Sequence, residues 1–423
     1  MRIVTTSDWH IGNLFHGNDR LPEHKHFLAW LLDRLTTLQP DALLVAGDVF
    51  DNGNPSAAAQ SAYYEFLADA TPACPDMRII ITAGNHDSAS RLEAPRPLLS
   101  RHHVEIRGSL QRTWQADEER GKWVVNYHDL MIPVRNAAGE EAVVLAVPYL
   151  RSDVVQNGNY SKGVNDFLHE LTAQARTAYP GIPLVMMAHM YAKGADIAAT
   201  DASEKIIIGG QEEVSLEGWT DRPDYLTCGH IHKRQHIWNT DWARYTGSVL
   251  PMSFAEANYR HGVDVLTLNG TNDVSVDFLE YTPQHALCIL PSDDSELTPK
   301  EMKKLIKQTL KDRAADGTLS EHFVYVVLKV RFDKVNNDAI KELEACVAAK
   351  DAVLCKIQKV IPTLELTTQT DRQRVSSIDD ILNRDPMDTL RETFAARHNR
   401  DLSEKQTMML QAVIESNMHE TND

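Results

Sequence analysis

Ten residues with metal-donor or proton-transfer side chains follow apolar runs within the first 232 positions. "SDWHIG" presents Asp8 and His10, and "GDVFD" presents Asp48 and Asp51. "GNHDS" gives Asn85, His86 and Asp87, "MMAHMY" gives His189, and "CGHIH" gives His230 and His232. Residues two apart on an extended chain point to the same side, so Asp8 and His10 can reach one point, as can His230 and His232. Each stretch has a plain alternative: "GNHDS" is ordinary turn chemistry, and a single histidine such as His189 fits a core position. The joint pattern says more. Carboxylate, imidazole and amide donors without thiolate suit Mn, Fe or Zn in a reactive site rather than a structural zinc site. Asp8, His10, Asp48, Asn85, His189, His230 and His232 suffice for two cations, with the centrally placed carboxylate of Asp48 bridging them. Other histidines, among them His24, His102, His103 and His322, read as surface residues.

These donors need strands to carry them. "RIVTTSDWH", "DALLVAGDVFD" and "MRIIITAGNHD" read as strands, separated by the amphipathic helices "LPEHKHFLAWLLDRLTTL" and "AAAQSAYYEFLADA". That alternation is the mark of an α/β layered fold, and ligands in such folds bind at strand ends. "EAVVLAVPYL", "IPLVMMAHMY", "PDYLTCGHIH" and "GVDVLTL" continue the core strands to about Tyr281. A polar, proline-containing break, "LPSDDSELTPK", marks a change of character. The run of strand "HALCIL", helix "TPKEMKKLIKQTLKDRA", strand "FVYVVLKVRF", helix "NDAIKELEACVAAK" and strand "VLCKIQKVI" predicts a small α+β domain. We therefore divide the chain into 1–283, 284–366, and a 367–423 linker with a helical tail. The tail's apolar residues Ile378, Ile381 and Leu382, then Met387, Leu390 and Phe394, recur at helical spacing.

Bulk properties bound the reading. The chain of 423 residues carries 43 basic and 60 acidic residues, a net charge of −17, so its overall field does not attract DNA or anionic lipid. Any contact with nucleic acid must come from a local patch, bound cations or a partner. No apolar run reaches the length of a membrane span, and "MRIVTTSDWH" is not a signal peptide. Five scattered cysteines without a CxxC pair point to reduced thiols and a cytoplasmic home. No GxxxxGK[ST] loop is present, so any ATP requirement belongs to another chain.

The order DxH, GDxxD, GNHD, H, GHxH resembles the signature of the calcineurin-like metallophosphoesterases. The wording "TSDWHIG", "VAGDVFD", "GNHDS", "GHIH" and "RYTGSVLPMSFAE" is similar to that of the DNA double-strand-break repair nucleases within them. The resemblance runs through the whole chain. It implies a layered core of two β-sheets flanked by helices, a small α+β capping domain, a helical tail and two divalent cations, manganese foremost. It assigns Asp8, His10, Asp48 and His232 to one cation, and Asp48, Asn85, His189 and His230 to the other. His86 is implied as the catalytic histidine, with Asp87 orienting it. Asp51 stands where some relatives carry a second active-site histidine. The implied activity is phosphodiester hydrolysis, exonucleolytic on duplex ends and endonucleolytic on single-stranded or hairpin DNA. The implied partners are a large coiled-coil ATPase, which the tail would bind, and a second copy of the chain, giving a homodimer within a heterotetramer.

Two other classes stay open on the sequence: a small-molecule or cyclic-nucleotide phosphodiesterase or phosphatase of the same fold, and a non-catalytic scaffold. One further feature bears on DNA. Residues 1–283 hold 23 basic against 36 acidic residues, whereas 284–366 hold 13 of each. Within that neutral segment, Lys300, Lys303, Lys304, Lys307 and Lys311 fall at helical spacing opposite Met302, Leu305, Ile306 and Leu310. This is either a solvated lysine face or a stripe that tracks phosphates.

Overall fold

The computed structural model describes residues 1–360 except 116–121, 152–158, 197–213, 217–218, 239, 294, 315–316, 318–322 and 333–336. The tail residues Ile378, Ile381, Leu382, Met387, Leu390 and Phe394 lie outside the described residues, as does His322.

Two six-stranded sheets form the core. The first runs in the order Asp273–Tyr281, His261–Gly270, Arg2–Thr6, Ala42–Ala46, Arg78–Thr82, Val104–Arg107. Its last four strands are mutually parallel, and His261–Gly270 pairs antiparallel with Arg2–Thr6. The second runs Gln235–His236, Ala243–Tyr245, Tyr225–Gly229, Leu184–His189, Glu141–Ala146, Met131–Arg135. There Glu141–Ala146, Leu184–His189 and Tyr225–Gly229 are parallel.

Strand periodicity explains the layering. Ala42, Leu44, Ala46, Ile80, Val144, Ala146, Val185 and Met187 share one apolar layer between the sheets. Their neighbours in sequence face outward: Leu43, Val45, Ile79 and Ile81 meet helices Leu21–Leu38 and Ala57–Ala73. Val143, Leu145, Leu184 and Met186 face outward from the other sheet, in a core shared with helix Tyr160–Ala178. Strands covered on both faces must be apolar at every position, so these runs carry no polar alternation. Helix Tyr160–Ala178 was not among the sequence expectations. It is polar on average, and its inward face is a narrow line of Val164, Leu168, Leu171 and Ala175.

Residues 286–360 build a separate three-stranded parallel sheet, Ala286–Leu290, Val324–Arg331 and Ala352–Val360, with helices Pro299–Thr309 and Asn337–Ala348. Met302, Ile306, Leu328, Leu343 and Val347 close its own core. A buried polar link joins this unit to the first helix: Tyr325 Oη donates to Glu23 Oε1 at 3.1 Å, and Arg20 pairs with Glu23 at 2.8 Å. His24, read as a surface residue from the sequence, is buried in the same place. Its Nδ1 lies 2.9 Å from the Arg20 carbonyl oxygen. His102 and His103 are exposed.

The lysine helix is shorter than its spacing implies. It ends at Thr309, and Leu310 turns extended, so Lys311 lies beyond the helix rather than on its face. The chain that follows bridges to the residues before the last strand: the Lys311 carbonyl accepts the Asp351 N–H at 2.8 Å. Lys303 is half-buried and pairs with Glu342 of the next helix, while Lys300, Lys304 and Lys307 are exposed. Among the described residues no helix is long and apolar enough to cross a membrane.

Candidate metal centre

The seven expected donors all sit at the C-terminal ends of parallel strands, six in the turns that follow and His189 as the last strand residue. Asp8 and His10 follow Arg2–Thr6, Asp48 follows Ala42–Ala46, and Asn85 follows Arg78–Thr82. His189 closes Leu184–His189, and His230 and His232 follow Tyr225–Gly229. The two sheets thus deliver their ligands to one place from opposite sides.

The backbone there is strained. Asp8, His10, Asp48 and His230 all have positive φ, at 51, 47, 49 and 98°. Non-glycine residues rarely adopt this region, and such outliers persist only where surrounding bonds fix them. Here the Asp8 N–H donates to Gly47 O at 3.1 Å, the His10 N–H to Asp48 O at 3.0 Å, and the His230 N–H to Asp8 Oδ1 at 2.9 Å. Close approach explains the glycine before each of two ligands. A Cβ on Gly84 would lie 2.1 Å from Asp48 Oδ1, and one on Gly229 would lie 2.2 Å from the Ala46 carbonyl oxygen.

Two buried groups have their donor atoms within 4.8 Å of one another: Asp8, His10 and His232, and Asp8, Asp48 and His189. Asp48 Oδ2 lies 3.3 Å from His189 Nε2 and 3.7 Å from His10 Nε2. Asn85 Oδ1 faces both His189 Nε2 and His230 Nδ1 at 3.0 Å. The arrangement fits cations. For ligand bonds of about 2.1 Å, neighbouring donor atoms around an ion sit roughly 3 Å apart. His189 Nδ1 lies 2.9 Å from the Ala46 carbonyl, which takes its proton, so in the neutral ring Nε2 turns a lone pair toward the Asn85 oxygen. Both ring nitrogens of His10 are buried without a hydrogen-bond partner. A buried imidazole whose two nitrogens are both orphaned, set among converging donors, is what a bound cation satisfies.

Electrostatics point the same way. Burial pushes the Asp8 carboxyl up and the His10 imidazole well down. Burial alone would raise Asp48, but the charge and hydrogen bond of His189, with His10 and His86, hold it well below the usual carboxylate range. Burial alone would lower His189, yet neighbouring Asp48 and Asp8 bring it to about 9. His230, desolvated and beside His189, falls to about 3. Without a cation the neighbouring carboxylates thus favour a proton on His189, one that a cation bound there would displace. Metal uptake at neutral pH should release protons, and apparent affinity should rise with pH, by up to about tenfold per unit for one displaced proton, levelling near 9. Manganese titrations at pH 6.5 and 8 check this; equal affinities would exclude proton displacement at His189.

The residues around the donors depart from expectation in one respect. Asp87 does not orient His86. Its buried carboxylate accepts three backbone N–H groups, from Val49 at 3.1 Å, Phe50 at 3.0 Å and Gly84 at 2.9 Å. It ties the Asp48 turn to the Asn85 turn. Burial and the Asp48 charge push its carboxyl up to about 6, against the pull of those three donors. The His86 ring is instead held by Asp51, whose carbonyl oxygen lies 2.8 Å from Nδ1. The Asp51 carboxylate accepts from Asn13 Nδ2 at 2.8 Å and lies 3.6 Å from His10 Nδ1. His86 itself is exposed, its ring 4.9 Å from that of His10, and its backbone N–H donates to Asp48 Oδ1 at 2.9 Å.

Sequence reasoning missed two supports. Ser7 Oγ donates to Asp8 Oδ2 and lies 2.6 Å from Thr246 Oγ1. Glu256 approaches His232 Nδ1 at 3.3 Å. Ser7 adjoins a ligand and was readable as a neighbour, whereas Thr246 and Glu256 are distant in sequence and carry no local signal.

A family model described as calcineurin-like phosphoesterase matches residues 1–234, a span that contains all seven donors. The chain is 34% identical over 361 residues to the D subunit of nuclease SbcCD from Rhodobacter capsulatus, covering 82% of this chain and 85% of that protein. It is 29% identical to the D subunit of nuclease SbcCD from Escherichia coli K12, over 70% of this chain and 72% of that one. The protein of the same name from Bacillus subtilis is 31% identical over 63% of this chain and 66% of its own length.

Proposed function

Since the chain belongs to the calcineurin-like phosphoesterases, and within them to the family of SbcD nucleases, we propose that it is a metal-dependent DNA nuclease. Working with an SbcC-type coiled-coil ATPase, it would hydrolyse phosphodiester bonds in duplex ends and in single-stranded or hairpin DNA. Two buried donor groups that share Asp8, one of them including Asp48, support this reading above all. Asp8, His10, Asp48 and His232 would hold one divalent cation, and Asp48, Asn85, His189 and His230 the other, with manganese the ion we favour. When bound, such a pair neutralises a phosphodiester and makes a hydroxide available from water. The side chains do the rest. Asp48 lies beside a histidine of each donor group, Asp87 locks its turn against that of Asn85, and the Asp51 carbonyl holds the exposed His86 ring. His86 is then free to give a proton to the leaving sugar oxygen. An acidic protein tolerates DNA in this site because the cations supply the local positive charge.

The remaining assignments rest on the same reading. The unit of residues 286–360 would act as a capping and DNA-guiding domain, with Lys300, Lys304 and Lys307 as its exposed phosphate contacts. The tail after residue 366 would bind the ATPase coiled coil, in a cytoplasmic assembly containing two copies of each chain.

One set of assays tests these assignments. The purified chain with its ATPase partner should degrade linear duplex DNA in manganese and lose that activity on chelation; hydrolysis of small bis-esters without any DNA cleavage would favour the small-molecule alternative. Changing Lys300, Lys304 and Lys307 together to Glu should weaken DNA binding and lower the salt slope by roughly one per lost contact, leaving bis-ester hydrolysis intact. A chain ending at Thr370 should no longer co-purify with the ATPase; retained co-purification removes the tail from the interface.

A further inference from the structure

Glu256 lies beyond the segment matched by the family model and takes no part in the donor set above. Its carboxylate is fully buried. One oxygen, Oε2, accepts the Met252 N–H at 2.9 Å, and the other, Oε1, lies 3.3 Å from His232 Nδ1. The short helical turn that carries it, Phe254–Glu256, is itself packed in place. The Phe254 ring meets Phe15 at 5.3 Å and His16 at 5.4 Å, and Phe15 in turn meets Tyr325 at 5.0 Å. The carboxylate is therefore held from its own side before it meets the imidazole.

A neutral imidazole has one N–H and one lone pair, and the partner of the N–H decides which nitrogen offers the lone pair. A carboxylate on Nδ1 fixes the proton there and leaves Nε2 for a cation, while making that nitrogen more basic. His189 is set by the Ala46 carbonyl, a neutral acceptor. A charged acceptor strengthens the ring as a donor more than a neutral one does, so His232 and His189 differ in degree. We infer that Glu256 is a positioning residue that holds His232 in its Nδ1–H form and directs Nε2 toward Asp8 and His10.

This inference rests on the metal-centre reading but not on DNA as substrate, so its test uses the full-length protein and manganese alone. In Glu256→Gln the side-chain oxygen that accepts Met252 N–H is kept and the charge on the His232 side is lost. One of two manganese sites, followed by electron paramagnetic resonance or calorimetry, should weaken by about 10- to 100-fold, with the other unchanged. Wild-type affinity at both sites would overturn the inference. A second measurement does not depend on the variant folding. Nitrogen-15 resonances of His232 in the metal-free wild-type protein at pH 8 should report the Nδ1–H tautomer, and an Nε2–H ring would equally overturn it. Failure to cut DNA with both results in hand would count against the nuclease reading and leave the role of Glu256 standing.

Discussion

Replacing Asp48 with Ala should remove both cations together and lower hydrolysis of any phosphodiester by on the order of 10³-fold or more. The reason is its position. Oδ2 reaches toward His189 at 3.3 Å and His10 at 3.7 Å, so this carboxylate lies beside a histidine of each donor group. Oδ1 meanwhile accepts the His86 N–H at 2.9 Å, which ties the carboxylate to the turn that carries His86. Asp87 cannot take its place, because it is committed to three backbone N–H groups. Loss of Asp48 relieves repulsion on Asp8 and Asp87 but takes away the partner of the His189 charge, so the metal-free variant should keep the fold at somewhat lower stability. Manganese should raise the unfolding temperature of the wild type, as any ligand specific for the native state does, and should leave that of Asp48→Ala unmoved. Two ions retained per chain would show that Asp48 does not bridge.

The donors were legible because each closes an apolar strand. Chain order alone brought Asp8, His10, Asp48 and Asn85 to one sheet end, and His189, His230 and His232 to the other. What the sequence did not carry was the support. Asp87 follows His86 directly, which invited a pairing that the turn forbids. The strand leaves the sheet so sharply that the carboxylate faces Gly84 and the Asp48 turn instead. Asp51 acts through its backbone carbonyl, a group every residue has, so no side-chain pattern can announce it. Glu256 and Thr246 reach the site only because the strands flanking them return to the sheets beside Tyr225–Gly229 and Arg2–Thr6. His24 reads as polar by type, yet it is buried next to an internal arginine and glutamate that no local pattern announces.

His86→Ala should separate binding from turnover. The ring is exposed and belongs to neither buried donor group, and the bond from its residue to Asp48 is made by backbone N–H, which alanine keeps. Both cations should therefore stay, with unchanged manganese stoichiometry. The chemistry should not. With Nδ1–H held by the Asp51 carbonyl at 2.8 Å, Nε2 is the nitrogen left for substrate. The imidazolium form of the ring can pass its Nε2 proton to the departing sugar oxygen, returning to the neutral Nδ1–H ring. An alkoxide leaves poorly without that proton, so DNA hydrolysis should fall by about 10²-fold or more. A nitrophenolate needs no such help. Hydrolysis of a nitrophenyl bis-ester should consequently drop far less than hydrolysis of DNA in the same variant. This difference between substrates is the decisive reading: equal losses would make His86 a binding or charge-stabilising group, and loss of metal would make it a ligand. Asp51→Ala, which retains the carbonyl, should keep most of the activity, because the backbone rather than the carboxylate aims the ring.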